Sequence, residues 1–318
     1  MADRIDAAPS VLISILNYNG IENTLRCLSS LERIRYSNYH ICVLDNGSSQ
    51  DQTPQIQKVH PKLHVIRSER NLGFSGGHNR ILAEAKKMGL AWELAWFLNN
   101  DTVVDPEALG ALVSAFNSNS KCGIAGSLIY FMSPPEKIWF AGGQIDLRTG
   151  KTIHRGQGET IPPTTVQPVD YVTGCSLMAR RNMIERVGAW DEDFFLYRED
   201  VELCLRARTQ EWQVLLVPHS IVHHKVAAST GGLSTSSAPA KAYYSTRGMW
   251  LLIFKALPNR YRIRQCGAAG ISTLRTIARA FLRAEEHPLL RTFFILKGFW
   301  DFLWGRTGYY VEPTHETT

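Results

Sequence analysis

The chain has 318 residues, 44% of them hydrophobic and 20% charged, which is the composition of a globular protein with one large domain or a domain and an appendage. No stretch approaches the ~20 apolar residues that a membrane-spanning helix needs. The net charge of +6 is uneven: residues 241–310 hold twelve Lys or Arg against three acidic residues, a net of +9, so the remainder carries about −3. This asymmetry favours an acidic partner surface, either membrane or nucleic acid.

The cysteines and the N-terminal residues both favour a cytoplasmic protein. The six cysteines are scattered, include no CxxC pair and lie in several cases within apolar runs. This pattern favours buried free thiols in a reducing compartment over a disulfide framework. The first residues, MADRIDAAPS, lack the apolar region and cleavage site of an export signal, so we expect no export.

The first half of the chain alternates between strand and helix patterns. Short apolar or β-branched runs predict strands at residues 11–18, 40–46, 63–68 and 94–100. Helical patterns lie between them, at residues 21–34 and 79–90. Asp105 and Pro106 predict the start of a further helix. This alternation predicts an α/β fold with βαβ units and a mostly parallel sheet.

The second half is less regular. Residues 130–170 are rich in Pro, Gly and Thr and predict loops and a short hairpin. A buried strand is predicted at 172–181, then a helix after DEDFFLY, and either a strand pair or a strand and turn at 212–224. The tract AASTGGLSTSSAPA predicts a flexible segment, after which the chain becomes basic and helical.

Polar side chains follow four of the predicted strands. The tips are Asn17-Tyr18-Asn19, Asp45 to Ser48, the loop RNLGFSGGHN at 70–79, and Asn99-Asn100-Asp101. Ligands of open α/β sheets bind at the carboxyl ends of the strands. One such tip is typical of an ordinary turn, but four together indicate a nucleotide-binding crevice. The loop lacks GxGxxG, so it does not support a dinucleotide site, although its N–H groups and the following helix suit a phosphate.

Three positions are candidates for chemistry, each with an ordinary structural alternative. Asp101 is either a turn residue or a ligand of Mg²⁺, which needs only one or two carboxylates beside a diphosphate. Asp200 follows Glu199 at a predicted helix start, where acidic residues are common, but the preceding FFLY favours a carboxylate held against a cleft as a general base. His224 ends an apolar run before the Ser/Gly tract and is either structural or a ligand of metal or phosphate.

The ordered motifs SILNYNG, VLDNGSSQDQT, RNLGFSGGHNR, FLNNDTVVDP, VTGCSLMARR, WDEDFFLYREDVELCLRA and IVHHKVAAST resemble family 2 glycosyltransferases. More narrowly, they resemble the rhamnosyltransferase-like branch of bacterial surface-polysaccharide synthesis, over roughly residues 10–310. The resemblance implies a GT-A fold, a Rossmann-like mostly parallel sheet, with a basic helical C-terminal appendage. It also implies the inverting transfer of a sugar, which by analogy is rhamnose, from a nucleotide diphosphate to a glycan or lipid-linked acceptor.

The resemblance also assigns roles to residues of this chain. Asp200 would be the catalytic base, and Asp101, at the last position of the DXD motif, would hold Mg²⁺ or Mn²⁺ with His224 as a second ligand. The first carboxylate of that motif is replaced by Asn99. The residues expected to contact the substrates are Asn17, Tyr18, Asn19, Asp45, Ser48, Asn71, Gly73, Phe74, Gly77, Asn79, Asn99, Asn100, Trp190 and Glu199.

The resemblance divides the chain into a catalytic domain at 1–232 and a basic helical region at 233–318. Apolar residues of 271–281 fall on one helical face and Arg275, Arg279 and Arg283 on another, which is typical of either a membrane-surface helix or a packed appendage. We expect peripheral attachment to an anionic membrane at the cytoplasmic face of the plasma membrane, and no nucleic-acid partner, since no binding motif accompanies the charge. The alternatives are a non-catalytic sugar-nucleotide-binding protein and a Rossmann-like NAD oxidoreductase.

Overall fold

A computed structural model describes residues 8–226, 239–282 and 287–308. Its strands in chain order are β1 (Val11–Asn17), β2 (Tyr39–Asn46), β3 (His64–Ser68), β4 (Leu94–Asn99), β5 (Thr102–Val104), β6 (Cys122–Phe131), β7 (Ile138–Phe140), β8 (Gly143–Asp146), β9 (Lys151–His154), β10 (Gln167–Pro168), β11 (Ser176–Arg180) and β12 (Gln213–His224). Its helices are α1 (Ile21–Leu31), α2 (Thr53–Val59), α3 (Gly73–Lys87), α4 (Ala108–Ser118), α5 (Arg181–Val187), α6 (Glu199–Thr209), α7 (Pro239–Lys255), α8 (Arg262–Leu282) and α9 (Pro288–Leu303).

Within these ranges, ten strands form one mixed sheet in the order β10-β12-β6-β11-β4-β1-β2-β3, with β5 paired to β12 and β7 to β6. Strands β3, β2, β1 and β4 are parallel neighbours, and β6 and β12 run in the same direction beyond the antiparallel β11. Strands β8 and β9 form a separate hairpin. The predicted α/β fold with a mostly parallel sheet is confirmed.

The parallel strands β1, β2 and β4 are mostly buried, which is why they read as continuous apolar runs in the sequence, whereas β3 at the edge of the sheet is only partly buried. Strand β1 is buried at six of its seven positions, and β4 at five of six. The predicted strands at 11–18, 40–46, 63–68 and 94–100 correspond to β1 to β4 within one residue. The core lies between this sheet and the helices on its two faces, as βαβ connections require.

Several predicted boundaries differ from the structure. Helix α3 begins at Gly73, so most of the segment expected to be a loop before residue 79 is helical. Helix α4 begins at Ala108 and not at Pro106, because the side chain of Asp105 accepts the N–H of Glu107 (2.9 Å) and so closes a turn first. The strand pair considered at 212–224 is the single strand β12, whose pairing with β6 is interrupted between Val217 and Ile221.

The C-terminal helices pack against the segment that precedes α6. A Cβ on Gly248 of α7 would lie 2.6 Å from the carbonyl oxygen of Tyr197, and one on Gly298 of α9 would lie 2.5 Å from that of Tyr243 in α7. The side chain of Lys255, at the end of α7, pairs with Asp191 and Asp193. Helix α7 is thus held between α9 and residues 191–197.

Two predictions concern residues 227–238, which lie outside the described ranges: the flexible Ser/Gly tract and the domain boundary at 232/233. All six cysteines are free thiols, five of them buried and Cys266 partly exposed. No helix within the described ranges is both long and apolar enough to cross a membrane.

Candidate active site

The carboxyl ends of the parallel strands meet at one edge of the sheet. Asn17 of β1 pairs in register with Asp45 of β2, and Leu16 with Asn99 of β4. The end of β12 reaches the same edge, where His224 pairs with Thr102 of β5. The structure therefore brings the ends of these strands together at one edge of the sheet, where the nucleotide-binding crevice is predicted.

The first two tips form a buried hydrogen-bond network. Asn17 donates to Asp45 (3.2 Å) and accepts from Thr24 (2.7 Å). Asp45 also accepts from the hydroxyl of Ser48 (2.5 Å) and the N–H of Gln52 (3.1 Å). Asn17 and Asp45 are fully buried, so they fix the loop after β2, and a nucleoside would meet them only at the floor of the crevice.

Tyr18 and Asn19 lie nearer to solvent at the same edge. The side chain of Tyr18 is 36% exposed. Asn19 has a φ of 51° and accepts hydrogen bonds from the N–H (2.9 Å) and hydroxyl (3.0 Å) of Ser49. Asn19 thereby ties the loop after β1 to the loop after β2, and Tyr18 is the accessible ring beside them.

Asn46 positions the loop before α3. It lies within the predicted tip Asp45 to Ser48, but no role was predicted for it. Its amide donates to the carbonyl of Gly73 (3.0 Å) and the side chain of Asn71 (3.2 Å), and its oxygen accepts the N–H of Leu72 (3.0 Å). Its position directly after Asp45 in the tip DNGS was the available signal. The neighbouring Gly47 has a φ of +80°, and a Cβ there would lie 2.3 Å from the carbonyl carbon of Arg70.

The predicted phosphate cradle at the start of α3 is already occupied by protein groups. The N–H of Gly73 donates to the side chain of Asn71 (2.8 Å), and the N–H of Phe74 donates to the carbonyl of Phe195 (2.8 Å). Ser75 donates to the carbonyl of Phe194 (2.6 Å). The first turn of α3 thus donates hydrogen bonds to the carbonyls of residues 194–195. The N–H groups of Gly73 and Phe74 are therefore not available to a phosphate, contrary to the expectation for this loop.

Three predicted substrate contacts lie instead in the packing around α3. The side chain of Asn79 donates to the carbonyl of Trp190 (2.9 Å) and accepts its N–H (3.1 Å). The Trp190 ring is 4% exposed and makes edge-on contacts with Phe74 and Phe97, at 5.0 Å and 4.9 Å between ring centroids. A Cβ on Gly77 would lie 2.9 Å from Leu16. The structure does not bring Gly77, Asn79 or Trp190 into the crevice.

Asp101 and His224 meet at the end of β4 and β12. Nε2 of His224 lies 3.1 Å from Oδ1 of Asp101, and both side chains are more than nine-tenths buried. Nδ1 of His224 is buried without a hydrogen bond to any residue that the structure describes. Asn100 is directed away from this pair, since its amide donates to Thr24 (2.8 Å). The backbone N–H of Asn99 donates a hydrogen bond to the carbonyl of Cys175 (3.0 Å).

Asp200 lies in the first turn of α6 with both carboxylate oxygens bound by backbone N–H groups. Oδ2 accepts from Gly174 (3.1 Å) and Oδ1 from Val201 (2.8 Å). The two residues before α6, Tyr197 and Arg198, have φ values of 69° and 78°, and such left-handed conformations cost about 1–3 kcal/mol each in residues other than glycine. Strain of this kind directly before a carboxylate is typical of a functional site.

The loop Gly174–Cys175 joins the two acidic positions. Gly174 binds the Asp200 carboxylate, and the carbonyl of Cys175 binds the N–H of Asn99, two residues before Asp101. The buried thiol of Cys175 interacts electrostatically with both carboxylates, which together with its burial raise its pKa. Asp200 and the segment that carries Asp101 are therefore connected through the same two-residue loop.

Glu199, predicted to contact the acceptor, is buried and 5% exposed. Its Oε2 is enclosed without a hydrogen-bond partner among the described residues. Burial, and then the charge of Asp200, raise the pKa of this carboxyl well above its usual value of 4.5. The Glu199 carboxyl therefore ionises less readily in the folded chain than in the unfolded chain.

We predict that Glu199→Gln stabilises the protein at neutral and alkaline pH. The folded chain keeps the Glu199 proton that the unfolded chain releases above pH 4.5, so ionisation favours unfolding increasingly as the pH rises. Gln does not titrate, and we expect its Tm at pH 8 to exceed that of the wild type by about 2 °C or more, with the difference vanishing near pH 4.5. Thermal melts from pH 4 to 8, with the exposed Glu136→Gln as control, measure this; a pH-independent difference would contradict it.

The glycosyl transferase family 2 model matches residues 10–188. The N-acetylglucosaminyl-diphospho-decaprenol L-rhamnosyltransferase of Mycobacterium tuberculosis is 29% identical over 71% of this chain and 78% of its own. The dTDP-rhamnosyl transferase of Shigella flexneri is 24% identical over 83% of this chain and 87% of its own. Neither an NAD oxidoreductase nor a non-catalytic binding protein is favoured by these matches.

Solved glycosyltransferases share the fold. A mannosyltransferase from Pyrobaculum calidifontis, determined with GDP-Man and Mn²⁺, superposes with a TM-score of 0.57 over 95% of this chain and 89% of its own, at 13% identity. At this identity the likeness shows the GT-A fold alone. Because the family model covers more than half of the chain and the rhamnosyltransferases align with most of it, the chain belongs to glycosyltransferase family 2 and is a rhamnosyltransferase-like member of it.

Proposed function

We propose that the protein transfers L-rhamnose from dTDP-rhamnose to a lipid-linked N-acetylglucosaminyl diphosphate, with inversion at the anomeric carbon, in cell-surface polysaccharide synthesis. The names of the two rhamnosyltransferase relatives support this donor and this acceptor. The observation that carries the proposal is the joining of Asp200 to the Asp101–His224 pair through Gly174 and Cys175. On this proposal, the base and the diphosphate site are connected through the hydrogen bonds of Gly174 and Cys175.

The Asp101–His224 pair fits a divalent cation shared with the donor diphosphate. Adjacent ligands of an octahedral ion with bonds of about 2.1 Å lie about 3.0 Å apart. Oδ1 of Asp101 and Nε2 of His224 are separated by 3.1 Å. The Asp101 carboxylate is an oxygen donor of the kind that Mg²⁺ and Mn²⁺ prefer, phosphate oxygens would complete the set, and His224 would add a nitrogen donor. When bound there, the cation would neutralise the charge that develops on the departing diphosphate.

Asp200 is the proposed general base. Its two backbone hydrogen bonds hold the carboxylate in one orientation, and each oxygen retains a lone pair that can accept a proton. Deprotonation of the acceptor hydroxyl as it attacks the anomeric carbon from the face opposite the diphosphate produces the inversion. Tyr18, with Asn17 and Asp45 beneath it, is proposed to receive the nucleoside.

We predict that Asp200→Asn lowers the transfer rate by about 10²–10⁴-fold while the affinity for dTDP with Mn²⁺ is retained. Asn keeps the size of the side chain and does not accept a proton at neutral pH. Transfer kinetics and calorimetry on the same preparation measure the two quantities. Asp193→Asn, in the same segment but facing Lys255, is the matched control and should transfer normally. A variant that retains wild-type turnover would exclude Asp200 as the base.

We predict that Asp101→Asn and His224→Gln each weaken Mn²⁺-dependent binding of dTDP by about tenfold or more. Both substitutions preserve volume at buried positions, so the fold should remain intact. Calorimetric titration with dTDP, with and without Mn²⁺, measures the metal-linked part of the affinity. His223→Gln is the control, because the His223 ring stacks on Tyr130 instead (5.7 Å). The same metal-linked affinity in wild type and both variants would place the cation elsewhere.

The helical region is also proposed to attach the enzyme to an anionic membrane at the cytoplasmic face, as the lipid-linked acceptor requires. Phe294, Ile295 and Gly298 of α9 are buried against the protein. The opposite face presents an apolar stripe with helical spacing, formed by Leu289, Phe293, Leu296, Trp300, Leu303 and Trp304, each 52–74% exposed.

On α8, Ile271, Leu274 and Phe281 are also exposed, beside Arg275 and Arg279. An apolar stripe flanked by Arg is typical of an interfacial helix. Arg283, predicted on the basic face, lies outside the described residues.

We predict that the full-length protein floats with anionic vesicles at low salt and less at high salt, because each basic residue near the surface contributes about 1 kcal/mol. The double variant Trp300→Ser with Trp304→Ser should reduce flotation at both salt concentrations. The control is Ile161→Ser with Val166→Ser, which removes exposed apolar side chains outside the helical region. Equal flotation of the two double variants would show that the α9 stripe does not bind the membrane.

A further inference from the structure

We propose that Trp139, with His154 beside it, forms the subsite for the acceptor sugar, where the indole face stacks on the pyranose ring. This inference rests on the proposed function, because it takes Asp200 as the base and the Asp101–His224 pair as the diphosphate end of the site. Trp139 lies in the short strand β7, outside the four strand tips predicted from the sequence.

Trp139 is positioned by its strand. Its neighbours Ile138 and Phe140 are fully buried and pair with the end of β6, whereas Trp139 between them is partly exposed beside the ends of β9 and β12. There its ring lies 4.6 Å from that of His224 and 5.3 Å from that of His154, with both contacts edge-on. The indole is partly exposed, which leaves part of its surface open to a ligand.

His154 connects Trp139 to the base. It ends strand β9, and its imidazole interacts electrostatically with Asp200. The desolvation of the ring lowers its pKa, so it is neutral at physiological pH and has one nitrogen as donor and the other as acceptor. Trp139 therefore contacts both His224, which would hold the metal, and His154, whose strand β9 is hydrogen-bonded to Arg198, two residues before Asp200.

The β8–β9 hairpin that carries His154 is fixed to the catalytic segment. Arg198 donates a hydrogen bond to the hydroxyl of Thr152 in β9. The carboxylate of Asp170 accepts the N–H of Ile145 in β8 (2.8 Å), and the carbonyl of Leu147 accepts from Gln265 of α8 (2.8 Å). A hairpin bound on three sides can hold a side chain at a fixed distance from the base.

The position of Asp200 is the reason for assigning the surface of Trp139 and His154 to the acceptor. The reacting hydroxyl must lie within hydrogen-bond distance of Asp200, so its pyranose ring must occupy the space next to that carboxylate. We place His154 and Trp139 at the border of this space, because β9 is bound to Arg198, two residues before Asp200, and Trp139 contacts His154. Sugars present an apolar face of C–H groups, and a large aromatic ring with one polar atom suits that face while water is excluded. A neutral imidazole beside it can bind a sugar hydroxyl in either role.

The test compares Trp139→Ala and Trp139→Phe with Trp92→Phe, a buried tryptophan at the start of β4 that packs on Arg181. With dTDP-rhamnose and a synthetic N-acetylglucosaminyl diphosphate lipid, we expect Trp139→Ala to raise the acceptor KM about tenfold or more, with dTDP affinity unchanged. Trp139→Phe should restore most of the loss, and Trp92→Phe should behave as wild type. An unchanged acceptor KM, or a loss of dTDP affinity that accounts for the defect, would overturn the proposal.

A second readout does not need the transfer reaction. Saturation-transfer NMR with methyl N-acetyl-β-D-glucosaminide, in the presence of dTDP and Mg²⁺, should show ring protons in contact with the wild type and not with Trp139→Ala. Equal or absent saturation in both proteins would overturn the subsite even if transfer is observed. A wild type that binds this glycoside but does not transfer rhamnose would instead count against the proposed function alone.

Discussion

The site depends on the hydrogen bonds of two consecutive residues, Gly174 and Cys175. The N–H of Gly174 binds the Asp200 carboxylate, and the carbonyl of Cys175 binds the N–H of Asn99. A side chain at 174 would lie 2.7 Å from the Phe74 ring, so only glycine fits there. Because β11 continues from this loop into the sheet beside β4, Asp200 on α6, the proposed base, is fixed relative to Asp101 at the end of β4, the proposed metal ligand.

The C-terminal helices support the same arrangement from the other side. Tyr197 and Arg198 adopt strained left-handed conformations immediately before α6, and such strain persists only where the surroundings fix the backbone. Here Gly248 of α7 lies against the Tyr197 carbonyl, and Arg198 is bound to Thr152 of the hairpin. The helical region that is proposed to attach to the membrane is thus in direct contact with the segment that precedes Asp200.

The sequence predicted the elements whose signals are local. Buried parallel strands read as apolar runs, and the polar tips that follow them lie at one edge of the sheet, as predicted. The sequence did not predict interactions between distant segments. The side chain of Asn79 makes two hydrogen bonds with the backbone of Trp190, which is distant in the sequence. The start of α3 is likewise hydrogen-bonded to residues 194–195. Trp139 was missed for the same reason, since only the pairing of β7 with β6 places it beside His224.

The central claim is that one crevice holds the donor diphosphate at Asp101 and His224 and the acceptor at Asp200. A crystal structure of the wild type with dTDP and Mn²⁺, with the anomalous signal of manganese recorded, tests it most directly. The account predicts one manganese peak bonded to Asp101 and Nε2 of His224 and to the dTDP phosphates, with the open face of the diphosphate directed towards Asp200. A manganese ion bonded to Asp200, or a dTDP diphosphate bound away from Asp101 and His224, would contradict it.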